Sequence, residues 1–253
     1  MTGHLSGFLP LVGVQSHLGR PWRIHRAALD VTGSARPLLH RFLSTRGLVE
    51  PSAVEDYLSY SLANMCDPAL MPDATQAAER ILDAISNGEQ VTVYGDYDVD
   101  GVTSAAVLSL ALKSMFGFTV HVYIPHRLKE GYGLNKQAIR QIADGGTTLI
   151  ITVDNGSSAQ AETALAQSLG LDVIIVDHHQ VSDPEPVAIA HLNPHRGDSS
   201  YPYKGLAAVG IAFMLLVELR RRADAREGVS MINRRIDTFL DLVALGTVAD
   251  VAP

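Results

Sequence analysis

Cysteine is almost missing from this chain. Cys66 is the only one in 253 residues, which excludes an internal disulfide and a Cys-rich zinc site and points to a cytoplasmic protein. Long apolar runs are missing too, since none approaches the ~18 residues of a membrane span. The N-terminus has neither the basic start nor the apolar stretch of a secretory signal. Positive charge is short: 20 Lys and Arg against 27 Asp and Glu leave a net charge of −7. That argues against a surface binding nucleic acid by bulk electrostatics. It leaves room for a nucleic-acid enzyme, because catalytic aspartates add to the acidic count and divalent cations would cancel part of it. Phosphate contacts must then come from local basic groups. There is no Walker A, GxGxxG or GxSxG pattern, which removes the usual NTPase, dinucleotide and hydrolase readings. Internal repeats and low-complexity segments are absent as well.

What is present is the composition of a globular protein, 47% apolar and 19% charged, long enough for one large domain or two small ones. Residues 1–75 read as a partly helical lead-in holding the only tryptophan, Trp22. Helices are expected over Pro51–Leu62 and Pro72–Asn87. The second has Asp73 as N-cap, an apolar stripe at Ala77, Ala78, Ile81, Leu82 and Ile85, and Gly88 as a stop. From Gln90 short apolar strands alternate with helices. Strands are expected at Val91–Tyr94, Val120–Ile124, Leu149–Val153, Val173–Val176 and Val187–His191. Helices are expected at Val102–Phe116, Asn135–Ala143, Ser158–Leu169, Ala207–Ala223 and Ile232–Leu245. This is an α/β pattern: a parallel β-sheet flanked by helices on both faces, occupying residues 76–253.

In such sheets the ligand site lies beyond the carboxyl ends of the strands. The heptapeptide GDYDVDG puts Asp96, Asp98 and Asp100 after the first strand. Asp154 follows Leu149–Val153, and Asp177, His178 and His179 follow Val173–Val176. Carboxylates so close together repel one another unless cations neutralise them. Carboxylates with imidazole and no thiolate suit Mn²⁺ or Mg²⁺. The set exceeds what one ion needs, and two ions ~3.5–4 Å apart are the arrangement for in-line displacement at phosphorus. Asp154 is the expected bridge.

Each motif also has a plainer explanation. An EF-hand loop needs Glu at its twelfth position, where Val107 stands, and a preceding helix instead of a strand. Asp154-Asn155-Gly156 alone would pass for an ordinary turn, and Asp177-His178-His179 for a solvated strand end. Their joint placement at three strand ends argues against three coincidences. Gly131-Tyr132-Gly133 reads as a turn. Pro125-His126-Arg127-Leu128-Lys129 reads equally as a solvated loop or as a cleft wall with Arg127 on phosphate. Arg220, Arg221 and Arg222 lie near a helix C-terminus and are taken as structural.

At this point VYGDYDVDGVTSAAVL, TVDNGSS, VDHH and LVALGTVADVAP resemble the four motifs of the DHH phosphoesterases. HRLKEGYGLN, LNPHR and GLAAVGIAF are similar to linkers of the RecJ branch, exonucleases that degrade single-stranded DNA. The likeness runs from about Arg46 to Pro253. It implies one ion on Asp96, Asp98 and Asp154, and another on Asp100, Asp154, His178 and Asp250. It further implies His179 near the scissile phosphate as binder or proton donor, Asp177 orienting a ligand histidine, and Arg127 on substrate phosphate. The family's C-terminal substrate-binding domain has no counterpart here.

The resemblance implies a two-metal 5′→3′ exonuclease releasing 5′-mononucleotides from single-stranded DNA in repair and recombination. Replication or repair proteins are the partners it implies, and no membrane. Two alternatives stay open: a DHH phosphodiesterase of small oligoribonucleotides or cyclic dinucleotides, and a non-catalytic partner-binding module. For the chain alone, metal binding with weak or no processive nuclease activity is expected.

Overall fold

The computed structural model describes residues 8–15, 21–25, 37–59 and 61–252. The expected lead-in includes residues outside this set, among them Tyr60 of the expected Pro51–Leu62 helix, and Pro253 lies outside it as well. The chain divides into two compact units, Met1–Met65 and Cys66–Pro253.

In the first unit β1 (Phe8–Gln15) and β2 (Pro21–His25) pair antiparallel, a hairpin the sequence reading did not anticipate. Two short helices follow, α1 (Pro37–Ser44) and α2 (Pro51–Leu58). α2 stops before the expected Leu62, and Leu62–Asn64 form a separate 3₁₀ turn capped by the Ser61 side chain.

The second unit opens with α3 (Ala74–Asn87), ended by Gly88 in the left-handed region. Asp73 stands at the N-cap position of this helix as expected, but its side chain makes no capping hydrogen bond. Its backbone is left-handed, and its carboxylate accepts from the His191 backbone N–H at 3.0 Å and from Arg196 at 2.5 Å.

The remaining elements alternate as expected: β3 (Val91–Tyr94), α4 (Val99–Phe116), β4 (His121–Tyr123), α5 (Lys136–Asp144), β5 (Leu149–Val153), α6 (Gln160–Ser168), β6 (Asp172–Val176), β7 (Ala190–Leu192), α7 (Ala208–Ala225) and α8 (Leu240–Ala249). The five strands β3 to β7 form one sheet, ordered β4-β3-β5-β6-β7, with every neighbouring pair parallel. β3 and β5 are buried along their whole length, because helices cover both faces. Alternation decides which side chain meets which layer. Tyr94, Ile150, Val173 and Ile175 point to one face and pack with Ala138, Ile139 and Ile142 of α5 and Ala166 of α6. α7 packs against both α3 and α4, and strands of the sheet meet all three.

Three boundaries differ for physical reasons. α4 starts at Val99, not Val102, because Asp98 caps it by accepting the Gly101 N–H at 3.0 Å. β7 lies at Ala190–Leu192, not Val187–His191, where it pairs with Ile174–Val176 of β6. Residues 232–236 are not helical, because the Ile232 N–H bonds to Met115 O and the Arg235 N–H to Asn233 Oδ1. A 3₁₀ turn at Asp237–Phe239 leads into α8 instead.

α4 is the one helix among the described residues long and apolar enough to cross a membrane. Its apolar residues Val107, Leu108, Ala111, Leu112 and Met115 are buried inside the protein. The arginine cluster is structural as expected: Arg221 pairs with Asp67 and Glu218, and Arg222 with Glu79 at 2.6 Å.

Candidate metal centre

The strand ends deliver their acidic residues to one place, and the local backbone explains how. After β3 the chain turns sharply into α4. A side chain at Gly101 would come within 2.6 Å of the Asp96 backbone, so only glycine lets the loop fold back onto the helix start. Asp98 is spent partly on capping. Asp100, in the first turn of α4, is buried and points to the N-terminus of α7. There it accepts the Ala208 and Val209 N–H groups at 2.7 and 2.9 Å. An anion at a helix N-terminus is favourable, and each oxygen keeps a second lone pair for another partner.

Asp154 leaves β5 in the left-handed region, at φ 62°. It is buried, and neither carboxylate oxygen has a hydrogen bond; Asp96 Oδ1 and His178 Nε2 are likewise buried without one. His178 sits at the centre. Its Nε2 lies 3.2 Å from Asp154 and 3.8 Å from Asp100, and its Nδ1 lies 3.8 Å from Asp250. Asp250 arrives on the end of α8, which crosses α4 and α7 closely. A Cβ at Gly246 would run into Thr103 Oγ1 and come within 2.8 Å of Val209 and 3.2 Å of Asp100.

The electrostatics follow from burial. Burial, then repulsion from Asp100 and Asp98, pushes the Asp154 carboxyl up to about 10. Burial also raises Asp100 and Asp96. Asp177 goes the other way. Burial pushes it up, but hydrogen bonds from the His179 ring and from Ser157 outweigh that and hold it below the usual carboxylate range. Its carboxylate takes the His179 Nδ1 at 2.8 Å and the backbone N–H groups of Ser157, His178 and His179. That hydrogen bond raises the His179 imidazole.

The expected residues therefore form three overlapping groups: Asp96, Asp98 and Asp154; Asp100, His178 and Asp250; Asp154, His178 and His179. Within each, one ligand atom per residue lies within 4.8 Å of the others. Buried carboxylate and imidazole atoms without partners are costly unless something charged completes them. Oxygen and nitrogen donors without sulfur fit Mn²⁺ or Mg²⁺. The chain's own residues thus fit a pair of hard divalent cations.

Asp177 and Arg127 lie outside the three ligand groups. Asp177 braces the His179 side chain, and it touches the ligand candidate His178 only through its backbone N–H. Arg127 is exposed, with its guanidinium 5.1 Å from the Tyr97 ring centre, and its charge reaches Asp96.

Tyr132 was missed. Gly131 and Gly133 both have positive φ, and the turn they make presents the tyrosine to the site. Its hydroxyl donates to Asp154 O at 3.1 Å and lies 3.2 Å from both His179 ring nitrogens. Asn193 was missed as well. It is fully buried and donates to Ser157 Oγ and to His179 O, each at 2.8 Å. The glycines flanking Tyr132 were a usable signal; nothing in LNPHR marks its Asn as buried.

The sequence profile of the DHH family, N-terminal domain, matches residues 90–247. The chain belongs to the DHH family. The DHH profile covers β3 through most of α8, so every group above except Asp250 lies inside it. The single-stranded-DNA-specific exonuclease RecJ of Bacillus subtilis strain 168 is 40% identical over 238 residues, 92% of this chain. The chain spans only 29% of that relative's length. A crystal structure of exonuclease RecJ bound to manganese superposes on this DHH domain with a TM-score of 0.64 and 33% identity, over 72% of this chain and 44% of that one. RecJ from Thermus thermophilus, in complex with Mg²⁺, matches with a TM-score of 0.52 and 26% identity, over 91% of this chain and 25% of that one.

Proposed function

We propose that this DHH domain is the catalytic part of a metal-dependent phosphodiesterase that removes 5′-mononucleotides from single-stranded DNA in the 5′→3′ direction. The observation that carries the reading is the sharing of Asp154 and His178 among the three ligand groups, which joins two cation sites into one centre. The likeness to single-stranded-DNA-specific exonucleases, one crystallised with manganese and one with Mg²⁺, supports the substrate and the metals.

Asp96, Asp98 and Asp154 would hold one cation, and Asp100, His178 and Asp250, with Asp154 between the two sets, the other. When bound, the pair supplies a nucleophile from water at neutral pH and neutralises charge developing at phosphorus. The remaining work belongs to the chain's other side chains. His179, with Nδ1 fixed on Asp177, presents Nε2 to hydrogen-bond a phosphate oxygen or protonate the leaving group. Tyr132 keeps that ring in place. Arg127 offers a planar fork to a phosphate. The likeness to those exonucleases supports a role in DNA repair and recombination alongside replication or repair proteins, and the low cysteine content supports a cytoplasmic setting.

The test is slow, non-processive nucleotide release from a 5′-labelled single-stranded oligonucleotide by this chain with Mn²⁺. Release that stops with chelator, with Asp98→Ala and with Asp154→Ala, and that is absent on duplex, is the expected result. Metal-independent release, or an Asp98→Ala variant equal to wild type, contradicts the reading.

A further inference from the structure

The chain is acidic, and its site adds several carboxylates, so a polyanion must be held by the few basic groups near the metal ligands. Arg127 serves one flank, its guanidinium 5.1 Å from the ring centre of Tyr97, the residue between Asp96 and Asp98. On the other flank a cavity of about 520 Å³ opens directly from His178 and Asp250. Its remaining wall is His195, Lys204, Gly205, Leu206, Val251 and Ala252. A volume of this order accommodates a small ligand. Another cavity, about 250 Å³ beneath β4, has no ligand candidate in its lining and lacks this connection.

The two basic residues are held in place by their surroundings. Lys204 Nζ bonds to Pro194 O and, at 3.2 Å, to Ser199 O. Two of its three N–H donors are used, which fixes the ammonium and leaves one to point outward. His195 follows the buried Asn193, whose Oδ1 accepts the His195 backbone N–H at 2.8 Å. The His195 imidazole is exposed and makes no hydrogen bond or ion pair among the described residues. Leu206 adds an apolar surface beside these polar groups, the combination a nucleoside phosphate needs.

We infer that this cavity is a nucleotide subsite, in which His195 and Lys204 bind the phosphate adjacent to the cleaved one, on the side of the metal centre away from Arg127. The inference rests on the phosphodiesterase reading and extends it. A strand of nucleic acid would cross from Arg127 and Tyr97, over the shared carboxylates, to Lys204. The linkers HRLKEGYGLN and LNPHR thereby acquire matching tasks at the two ends of one path.

The experiment measures calorimetric binding of a 5′-phosphorylated dithymidylate with a phosphorothioate linkage, with and without Mg²⁺, alongside Mg²⁺ affinity itself. The double variant His195→Ala/Lys204→Ala is expected to bind the dinucleotide about tenfold more weakly, the loss of a charge-assisted hydrogen bond, with Mg²⁺ affinity unchanged. His195→Ala alone, which removes no internal contact, is expected to weaken it about threefold, and Lys204→Arg to retain most of the affinity. Equal dinucleotide affinity in wild type and double variant overturns the subsite, as does an undetectable affinity in wild type. A wild-type chain that takes no Mg²⁺ but still loses dinucleotide binding in the double variant keeps the subsite and contradicts the metal reading. One that takes Mg²⁺ but ignores both substitutions keeps the metal reading and removes the subsite.

Discussion

Asp154 concentrates the conflict that makes this site functional. Its carboxyl is buried, has no hydrogen bond and is raised from the ordinary 3.8 to about 10. A group whose folded pKa exceeds its unfolded one stabilises the fold fully below the unfolded value and loses that contribution as pH rises through the folded value. The metal-free chain should therefore melt at progressively lower temperature between about pH 5 and about pH 9. Excess Mn²⁺ should reverse the trend by competing with the proton, and scanning calorimetry at several pH values reads both. Asp154→Asn removes the cost of protonating this carboxyl on folding, so the metal-free variant should melt several degrees above wild type at about pH 8 while losing Mn²⁺ affinity by about 100-fold or more. A lower melting temperature for this variant would contradict the assignment. Asn193 is the opposite case, with its amide fully satisfied. Asn193→Ala strands Ser157 Oγ and His179 O and should cost about 1–3 kcal/mol, measured by urea unfolding. At this scale the acidic and imidazole residues were legible because charge at a strand end is conspicuous. Tyr132 and Asn193 were not, because their roles depend on which loop lies beside which.

The elements matter here by how closely they approach. α8 brings Asp250 to the site only because Gly246 lets it touch α4 and α7 beside Asp100. Gly246→Ala should therefore destabilise the chain by about 1–3 kcal/mol and weaken Mn²⁺ binding at the His178 side more than at the Asp96 side, seen as a biphasic calorimetric isotherm. Uniform loss of both sites would point to general unfolding instead. α7 acts through its N-terminus, whose Ala208 and Val209 N–H groups clamp Asp100. The strands and central helices were readable, since continuously apolar four- or five-residue runs between amphipathic segments have few other folds. Helix starts were less so. Side chains decided them: Asp98 capped α4 earlier than its apolar pattern began, while Asp73 turned away from α3 to meet His191 and Arg196. The hairpin of β1 and β2 escaped notice because scattered glycine and proline obscured any alternation.

For the whole molecule, a net charge of −7 and a nucleic-acid substrate are compatible only if cations and a few placed basic groups replace a basic surface. Binding of single-stranded DNA by this chain should then depend weakly on salt, with a log–log slope no steeper than about −2, matching two or three phosphate contacts. A steep slope would contradict this by revealing a basic surface. The fold class and the strand-end location of the site were readable from the residues alone, whereas Asp250 and the division of ligands into two sets came from the resemblance to the DHH phosphoesterases. The cavity beside Asp250 was not readable, since it is built from segments distant in sequence. The claim on which the account stands is that Asp154 and His178 unite two cation sites. Calorimetric titration of Mn²⁺ into this chain tests it most directly. Two ions should bind per chain in wild type, with neither held tightly once Asp154 is replaced by alanine. One ion in wild type, or Mn²⁺ binding unchanged in Asp154→Ala, would contradict it.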